Sequence, residues 1–218
     1  MSEHHEPPSR VRPSGWRTIG LLALFSGAAL LVHILTGVSL RLSLLVATIG
    51  VVAVLTATWR SISASQRLIL KRLLSIGAVS GVVATAVYDA AKYVLSLIDG
   101  SGFNPFGAIR IFGTLLVGDA ASAGSVLGAG VMFHLLNGVL FGVAYVLLFG
   151  GRGIWAGIAW GLFLEAFQLT LYPGWLDIEA YREFVTISAM GHVAYGATLG
   201  AVSLGMLQGR WRRSPATT

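Results

Sequence analysis

Long apolar runs are the feature that most constrains what this chain can fold into. Six stretches of about 20 residues carry few or no charges, and a stretch of this length crosses the hydrocarbon core of a bilayer as one helix. They are residues 18–38, 42–59, 73–97, 126–149, 153–172 and 184–207. Backbone groups in lipid must be paired within the protein, and these runs do not alternate as barrel strands do. The sequence therefore predicts an all-α, polytopic membrane protein with six transmembrane helices.

The composition excludes a soluble globular domain. Hydrophobic residues make up 55% of the 218 residues and charged residues only 11%, whereas soluble domains carry about 25% charged residues. So small a charged set could not cover a water-facing surface. The chain has no cysteine, which excludes a disulfide framework, a thiolate metal site and a thiol nucleophile.

The basic residues predict the orientation of the chain. A net charge of +6 would suggest a nucleic-acid partner in a soluble domain, but here the basic residues lie in short segments between apolar runs. Eleven fall on one side and three on the other, which is the positive-inside pattern. The eleven are Arg10, Arg12, Arg17, Arg60, Arg67, Lys71, Arg72, Arg152, Arg210, Arg212 and Arg213. We therefore expect both termini in the cytoplasm, the lipid bilayer as the main partner, and no nucleic acid.

The apolar spans and the basic segments together divide the chain into four parts. We expect a flexible cytoplasmic tail over 1–15, a peripheral transmembrane hairpin over 16–60, a four-helix transmembrane core over 61–209, and a basic cytoplasmic tail over 210–218. Between the third and fourth spans, residues 101–118 predict a short amphipathic helix with Asn104 as its cap, Pro105 at its first position and Gly118 at its end. We expect it to lie in the outer interface, with a re-entrant path as the alternative.

The last four spans predict a repeated helical hairpin. The fourth and sixth spans share Met-x-His-x-x-x-Gly-x-x-x-Gly, at 132–142 and 190–200, 58 residues apart throughout. The third and fifth share Gly-x-x-x-Gly followed by an acid, at Gly77, Gly81 and Asp89 and at Gly157, Gly161 and Glu165. The two hairpins would be related by an axis along the membrane normal. Small residues at this spacing let helices pack closely, within one chain or in a homo-oligomer.

Polar side chains inside the last four spans form the candidate site. Each span carries a pair at i and i+3, which lies on one helix face. The pairs are Asp89 with Lys92, His134 with Asn137, Glu165 with Gln168, and His192 with Tyr195. Helix rise places the acids and histidines in one layer of the outer half of the bilayer. Such groups are costly in lipid and mark candidate substrate or ion sites.

Several chemistries fit this layer. His134, Glu165 and His192 suit a transition metal, the two histidines suit a haem, and the whole set suits a proton relay or a cation site; the sequence requires no cofactor. Asp89 and Lys92 also suit mutual neutralisation, and the histidines suit structural hydrogen bonds between helices. No nucleotide-binding glycine loop, HExxH motif or nucleophile elbow is present, so we assign no catalytic residue and expect no enzyme.

Two segments resemble a known group of proteins. Residues 81–89, Gly-Val-Val-Ala-Thr-Ala-Val-Tyr-Asp, followed by 134–142, His-Leu-Leu-Asn-Gly-Val-Leu-Phe-Gly, resemble small bacterial inner-membrane proteins of the YagU-like kind and related families of unknown function. The resemblance covers at most residues 73–207. It implies a bacterial inner membrane and carries no functional residue over.

The first hypothesis for function is a small permease-like transporter of a proton, a metal cation or a small solute. A metal- or haem-binding redox protein and a structural membrane protein without chemistry are the alternatives. In the first hypothesis Glu165 faces the bundle interior within reach of His134 or His192, because its own helix carries no basic partner.

The predicted topology can be tested with reporter fusions. Fusions at Ser101 and Asp177 should report an external location, and fusions at Gln66 and Thr218 an internal one, because the basic residues hold their segments in the cytoplasm. A cytoplasmic signal at Asp177 would contradict the six-span arrangement.

Overall fold

The chain folds into eight helices over the residues that the structure, a computed structural model, describes: 14–100, 102–176 and 181–209. The helices are α1 (Ser14–Leu22), α2 (Phe25–Thr36), α3 (Leu40–Ser61), α4 (Ala64–Asp99), α5 (Gly107–Val117), α6 (Ala123–Leu148), α7 (Gly153–Leu176) and α8 (Tyr181–Leu207). These described ranges contain no strand. The all-α prediction is confirmed.

Among the described residues, five helices are long and apolar enough to cross a membrane, namely α3, α4, α6, α7 and α8. Helices α1 and α2 together are long and apolar enough to be counted as a sixth, but they are bent by 48° at the break between them. The predicted continuous helix over 18–38 is therefore wrong in its middle: Leu24 N donates to Leu21 O (3.0 Å), a tighter turn than the α-helical one. Residues 14 and 15, assigned to the N-terminal tail, begin α1, and the rest of both predicted tails lies outside the described residues.

Serine side chains fix where three of the helices begin. Ser39, Ser63 and Ser122 each accept a hydrogen bond from a backbone N–H of the first turn. Ser63 forms a full capping box with Gln66, since the Gln66 side chain accepts from Ser63 N. Helix α4 consequently starts nine residues before the predicted apolar span, with a polar extension that precedes the membrane-crossing part.

Helices α4 and α6 lie backbone to backbone. A Cβ atom on Gly142 would stand 2.6 Å from Gly77 O and 2.7 Å from Gly81 Cα, and one on Gly81 would stand 2.7 Å from Gly138 O. No side chain fits at such distances, so glycine is the only residue that allows this approach. The two helices run antiparallel, because Gly77 lies beside Val143 and Gly81 beside Val139.

Helices α7 and α8 repeat the same contacts. A Cβ on Gly200 would meet Gly153 O, as one on Gly142 meets Gly77 O. A Cβ on Gly157 would meet Gly196 O, as one on Gly81 meets Gly138 O. The fourth and sixth spans thus match at the predicted separation of 58 residues, and both hairpins run in the same direction along the bundle.

The contacts align α4 with α7 one helical turn away from the alignment that the sequence predicted. The sequence aligned Gly77 and Gly81 with Gly157 and Gly161, but the contacts align them with Gly153 and Gly157, a separation of 76 residues. Asp89 and Glu165 also stand 76 residues apart. The acids and the contact glycines therefore follow one common register.

Helix α5 packs lengthwise on α6. A Cβ on Gly130 would meet Ile109 O, and one on Gly113 would meet Val126 O, so α5 runs antiparallel beside the first two turns of α6. It begins at Gly107, after a turn in which Asn104 Oδ1 accepts from Phe106 N (3.0 Å). Gly118 is its C-cap, as predicted, but its N-cap is Phe106 and its first residue Gly107, so the predicted start at Asn104 and Pro105 is wrong. Glycines on both helices allow this lengthwise packing, and the placement of α5 relative to the bilayer stays a prediction.

The glycine contacts can be tested with single methyl groups. Gly142→Ala should lower the free energy of unfolding by about 1–3 kcal/mol, because the added Cβ forces α4 and α6 apart. Gly200→Ala should do the same in the other hairpin. Chemical unfolding in mixed micelles measures both.

Gly128→Ala is the matched control on α6. Gly128 has no described atom within 4 Å of its Cβ position, so alanine should be neutral or stabilise by up to about 1 kcal/mol. Equal losses at Gly128 and Gly142 would show that helix packing is not the cause.

Candidate functional site

Each hairpin contains one pair of an acid and a histidine. His134 Nε2 on α6 lies 2.9 Å from Asp89 Oδ1 on α4. His192 Nδ1 on α8 lies 2.7 Å from Glu165 Oε2 on α7. The prediction that Glu165 reaches a histidine is confirmed, and the partner is His192. The two pairs occupy equivalent places because the glycine contacts give both hairpins the same register.

Glu165 lies at the centre of a buried hydrogen-bond network. Its side chain is 2% exposed, and its Oε2 atom also accepts from Ser188 Oγ (2.9 Å). Ser188 Oγ in turn accepts from Gln168 Nε2 (2.7 Å). His192 Nδ1 lies 3.0 Å from Ser188 O as well, so this nitrogen faces two acceptors and is assigned the hydrogen. Glu165 Oε1 is buried without a partner among the described residues, which leaves one oxygen able to bind a proton or a donor.

Lys92 does not pair with Asp89. Its Nζ donates to Tyr88 Oη (3.2 Å) and lies 5.9 Å from the centre of the Phe106 ring, with the whole residue 8% exposed. Gly191 on α8 makes room for it, since a Cβ there would stand 2.9 Å from Lys92 Cγ. In the described part of the chain no carboxylate oxygen lies within 4.0 Å of this ammonium. Asp89 bonds instead to His134 on α6, so Asp89 and Lys92 make no direct ion pair, although Asp89 still acts on the ammonium electrostatically.

A cavity of about 300 Å³ lies between α2, α4, α5, α6, α7 and α8. Six of the eight predicted site residues line it: Lys92, His134, Asn137, Gln168, His192 and Tyr195. Asp89 and Glu165 do not line it; each holds a histidine that does. The remaining walls are mainly aromatic and aliphatic, so the cavity presents nitrogen and hydroxyl groups on an apolar surface.

The cavity lies between the two hairpins. Its lining contains four pairs of equivalent positions, separated by 76 or 58 residues: Tyr88 with Leu164, Lys92 with Gln168, His134 with His192, and Asn137 with Tyr195. Helices α6 and α7 meet near one end, where Tyr145 Oη donates to Gly153 O (3.0 Å). Farther along, side chains of both helices line the cavity.

Sequence reasoning missed three side chains that build this site. The Tyr88 ring packs on the rings of both histidines, at centroid distances of 5.9 Å to His134 and 4.9 Å to His192. Ser188 connects Gln168 to Glu165, and Ser26 on α2 donates to Asn137 Oδ1 (2.6 Å). Tyr88 and Ser188 stand four residues before Lys92 and His192, a same-face spacing that could have shown them.

The predicted metal set is not brought together. Among residues 14–100, 102–176 and 181–209, no three His, Asp or Glu side chains are grouped closely enough to hold a metal ion. His134 and His192 each bond to the acid of their own hairpin, and the Tyr88 ring packs against both. The arrangement of His134, Glu165 and His192 around one ion is therefore wrong, and nothing in this packing favours a haem between the histidines.

No protein-family model, curated protein or solved structure matches this chain. The resemblance to YagU-like proteins stays a prediction. The function must be inferred from the geometry of the site.

Double-mutant cycles should separate the two acid–histidine pairs. We expect a coupling free energy of roughly 1–2 kcal/mol for Glu165→Leu with His192→Leu, near the upper end for hydrogen bonds between membrane helices. Unfolding in mixed micelles measures it.

The Asp89 and His134 pair is the matched control. Its side chains are 33% and 22% exposed, against 2% and 11% for Glu165 and His192. His134 lines the cavity, where water would weaken an ion pair, so the coupling of this pair should be under about 1 kcal/mol. Larger coupling in the exposed pair would show that burial does not set the strength.

Proposed function

We propose that this protein, whose apolar helices fit a lipid bilayer, binds a small solute in its cavity and acts as a small permease-like membrane protein. One observation carries the proposal. A cavity of about 300 Å³ among helices long enough to span a membrane is lined by six of the eight polar residues that the sequence had singled out. Polar groups in such helices are costly, and binding one solute in a shared cavity would explain why these six are present.

The repeat supports a solute site in this place. Many secondary transporters are built from repeats, with the substrate at the repeat interface near the middle of the bilayer. Here equivalent residues of the two hairpins line the same cavity.

The lining favours a solute over a metal cation. Asp89 and Glu165 do not line the cavity and both are engaged by histidines. His192 lines the cavity and also bonds to Glu165, so this pair connects the wall to a buried carboxyl group.

Single cysteines test whether water reaches the cavity. The chain contains no cysteine, so each introduced thiol is read without background. Leu164 lines the cavity, and the Leu164→Cys variant should react with a membrane-impermeant thiol reagent, because a hydrated thiol forms the reactive thiolate. Labelling of oriented membrane vesicles measures it.

Leu162→Cys is the control on the same helix. Leu162 is 43% exposed on the outside of the bundle, where lipid would keep the thiol unreactive. Absence of labelling of the Leu164→Cys variant from both faces would contradict a solute site, and the structural role without chemistry would then be preferred.

A further inference from the structure

We infer that the solute is an organic anion, with an acid group that binds Lys92 and a small apolar body that fills the rest of the cavity. This names the ligand class for the site above and rests on the proposed function. It starts from Lys92, the one cationic side chain among the described residues that line the cavity, and from the absence of any acid in that same described lining.

The Lys92 ammonium is buried and forms no direct ion pair with a described residue, and Asp89 and Glu165 act on it only from beyond 4.0 Å. It makes one hydrogen bond to the described residues, to Tyr88 Oη, and lies over the Tyr88 ring at 4.9 Å. An ammonium has three donors, so two are left for other acceptors. A buried charge is stable only when it is paired and hydrogen-bonded. An acid group from a ligand would supply both the charge and the acceptors.

The nearby carboxyl groups are committed elsewhere. Asp89 holds His134, and Glu165 holds His192 and Ser188. In the other hairpin, the position equivalent to Lys92 holds Gln168, whose amide donates to Ser188 Oγ. Gln168 and Ser188 also interact with the Tyr88 side chain. The cavity therefore offers the Lys92 ammonium, with donors left over, to an acid group.

The rest of the wall suits an apolar body. Phe112, Phe141, Phe163 and Phe167 line it together with leucines from α2 and α7. A volume of 300 Å³ equals roughly ten water molecules at about 30 Å³ each, and it lies at the small end of ligand sites. A single aromatic ring with a carboxylate fits. The same chemistry reaches the site from water as an aromatic acid or from the bilayer as a fatty acid.

Benzoate and benzamide form a matched pair of probes, since they differ mainly in charge. The purified full-length protein in a neutral detergent should bind benzoate at least about tenfold more tightly than benzamide, because a charge-assisted hydrogen bond is about twice as strong as a neutral one. Calorimetric titration measures both. Lys92→Met should weaken benzoate binding about tenfold or more and leave benzamide binding unchanged.

Lys71→Met is the control variant on the same helix. Lys71 is exposed and lies over Trp59, away from the cavity, so this change should leave both ligands bound as in the parent. Without ligand, Lys92→Met should raise the melting temperature, because it removes an unpaired buried charge. A lower melting temperature would make Lys92 a structural residue and overturn the inference.

Native mass spectrometry distinguishes the two sources. A co-purified fatty acid on the parent but not on Lys92→Met supports delivery from the bilayer, and benzoate binding to a protein without bound lipid supports delivery from water. Equal binding of benzoate and benzamide overturns the anion but keeps the solute site. If the protein binds neither probe and no lipid, the inference about the anion is overturned. The solute site itself is overturned only if the thiol of the Leu164→Cys variant is also unreactive.

Discussion

Contact between glycine backbones is the constraint on which the rest of this structure depends. Gly142 against Gly77 and Gly200 against Gly153 leave no room for a side chain, so each pair of helices can meet in only one register. In a bilayer the hydrophobic effect does not drive helices together, and close packing must do so. The register fixed by these contacts then sets which polar residues become neighbours two to three turns farther along.

The acid–histidine pairs follow from that register. Within each hairpin the acid and the histidine lie on the same side of the helix contact, so Asp89 reaches His134 and Glu165 reaches His192. Each pair satisfies groups that would be costly alone in lipid. Lys92 gains no such partner. Asp89, one turn earlier on the same helix, pairs with His134 of α6, and Lys92 lines the cavity. The anion-binding character proposed for the site thus follows from how the acid–histidine pairs form.

The sequence predicted the helices, the repeat of His134 and His192, and the Glu165 contact, because each depends on apolar length or on fixed spacing along one helix. The register between helices was harder. Glycine is abundant here, with 28 residues, so two alignments of α7 with Gly77 and Gly81 of α4 fit the sequence equally well. The sequence pattern selected Gly157 and Gly161, whereas the contacts use the glycines one turn earlier, Gly153 and Gly157. The same register decides that Asp89 pairs with His134 and not with Lys92. The path of α5 depended on Gly113 and Gly130, whose contacts have no signal in either helix alone.

The position of the cavity follows from one difference between the two hairpins. On α8, Gly191 lets Tyr88 and Lys92 pack closely, so α4 lies against α8. The equivalent residue on α6, 58 positions earlier, is Phe133, and its ring packs on Phe112 of α5 (5.4 Å). The Phe133 ring and helix α5 thus stand where a second close contact, between α6 and α7, would otherwise form. The two hairpins, which have the same internal packing, therefore meet tightly on one side and leave a space on the other. Lys92 lines that space, because Gly191 has no side chain that would exclude Lys92 from the interior of the bundle.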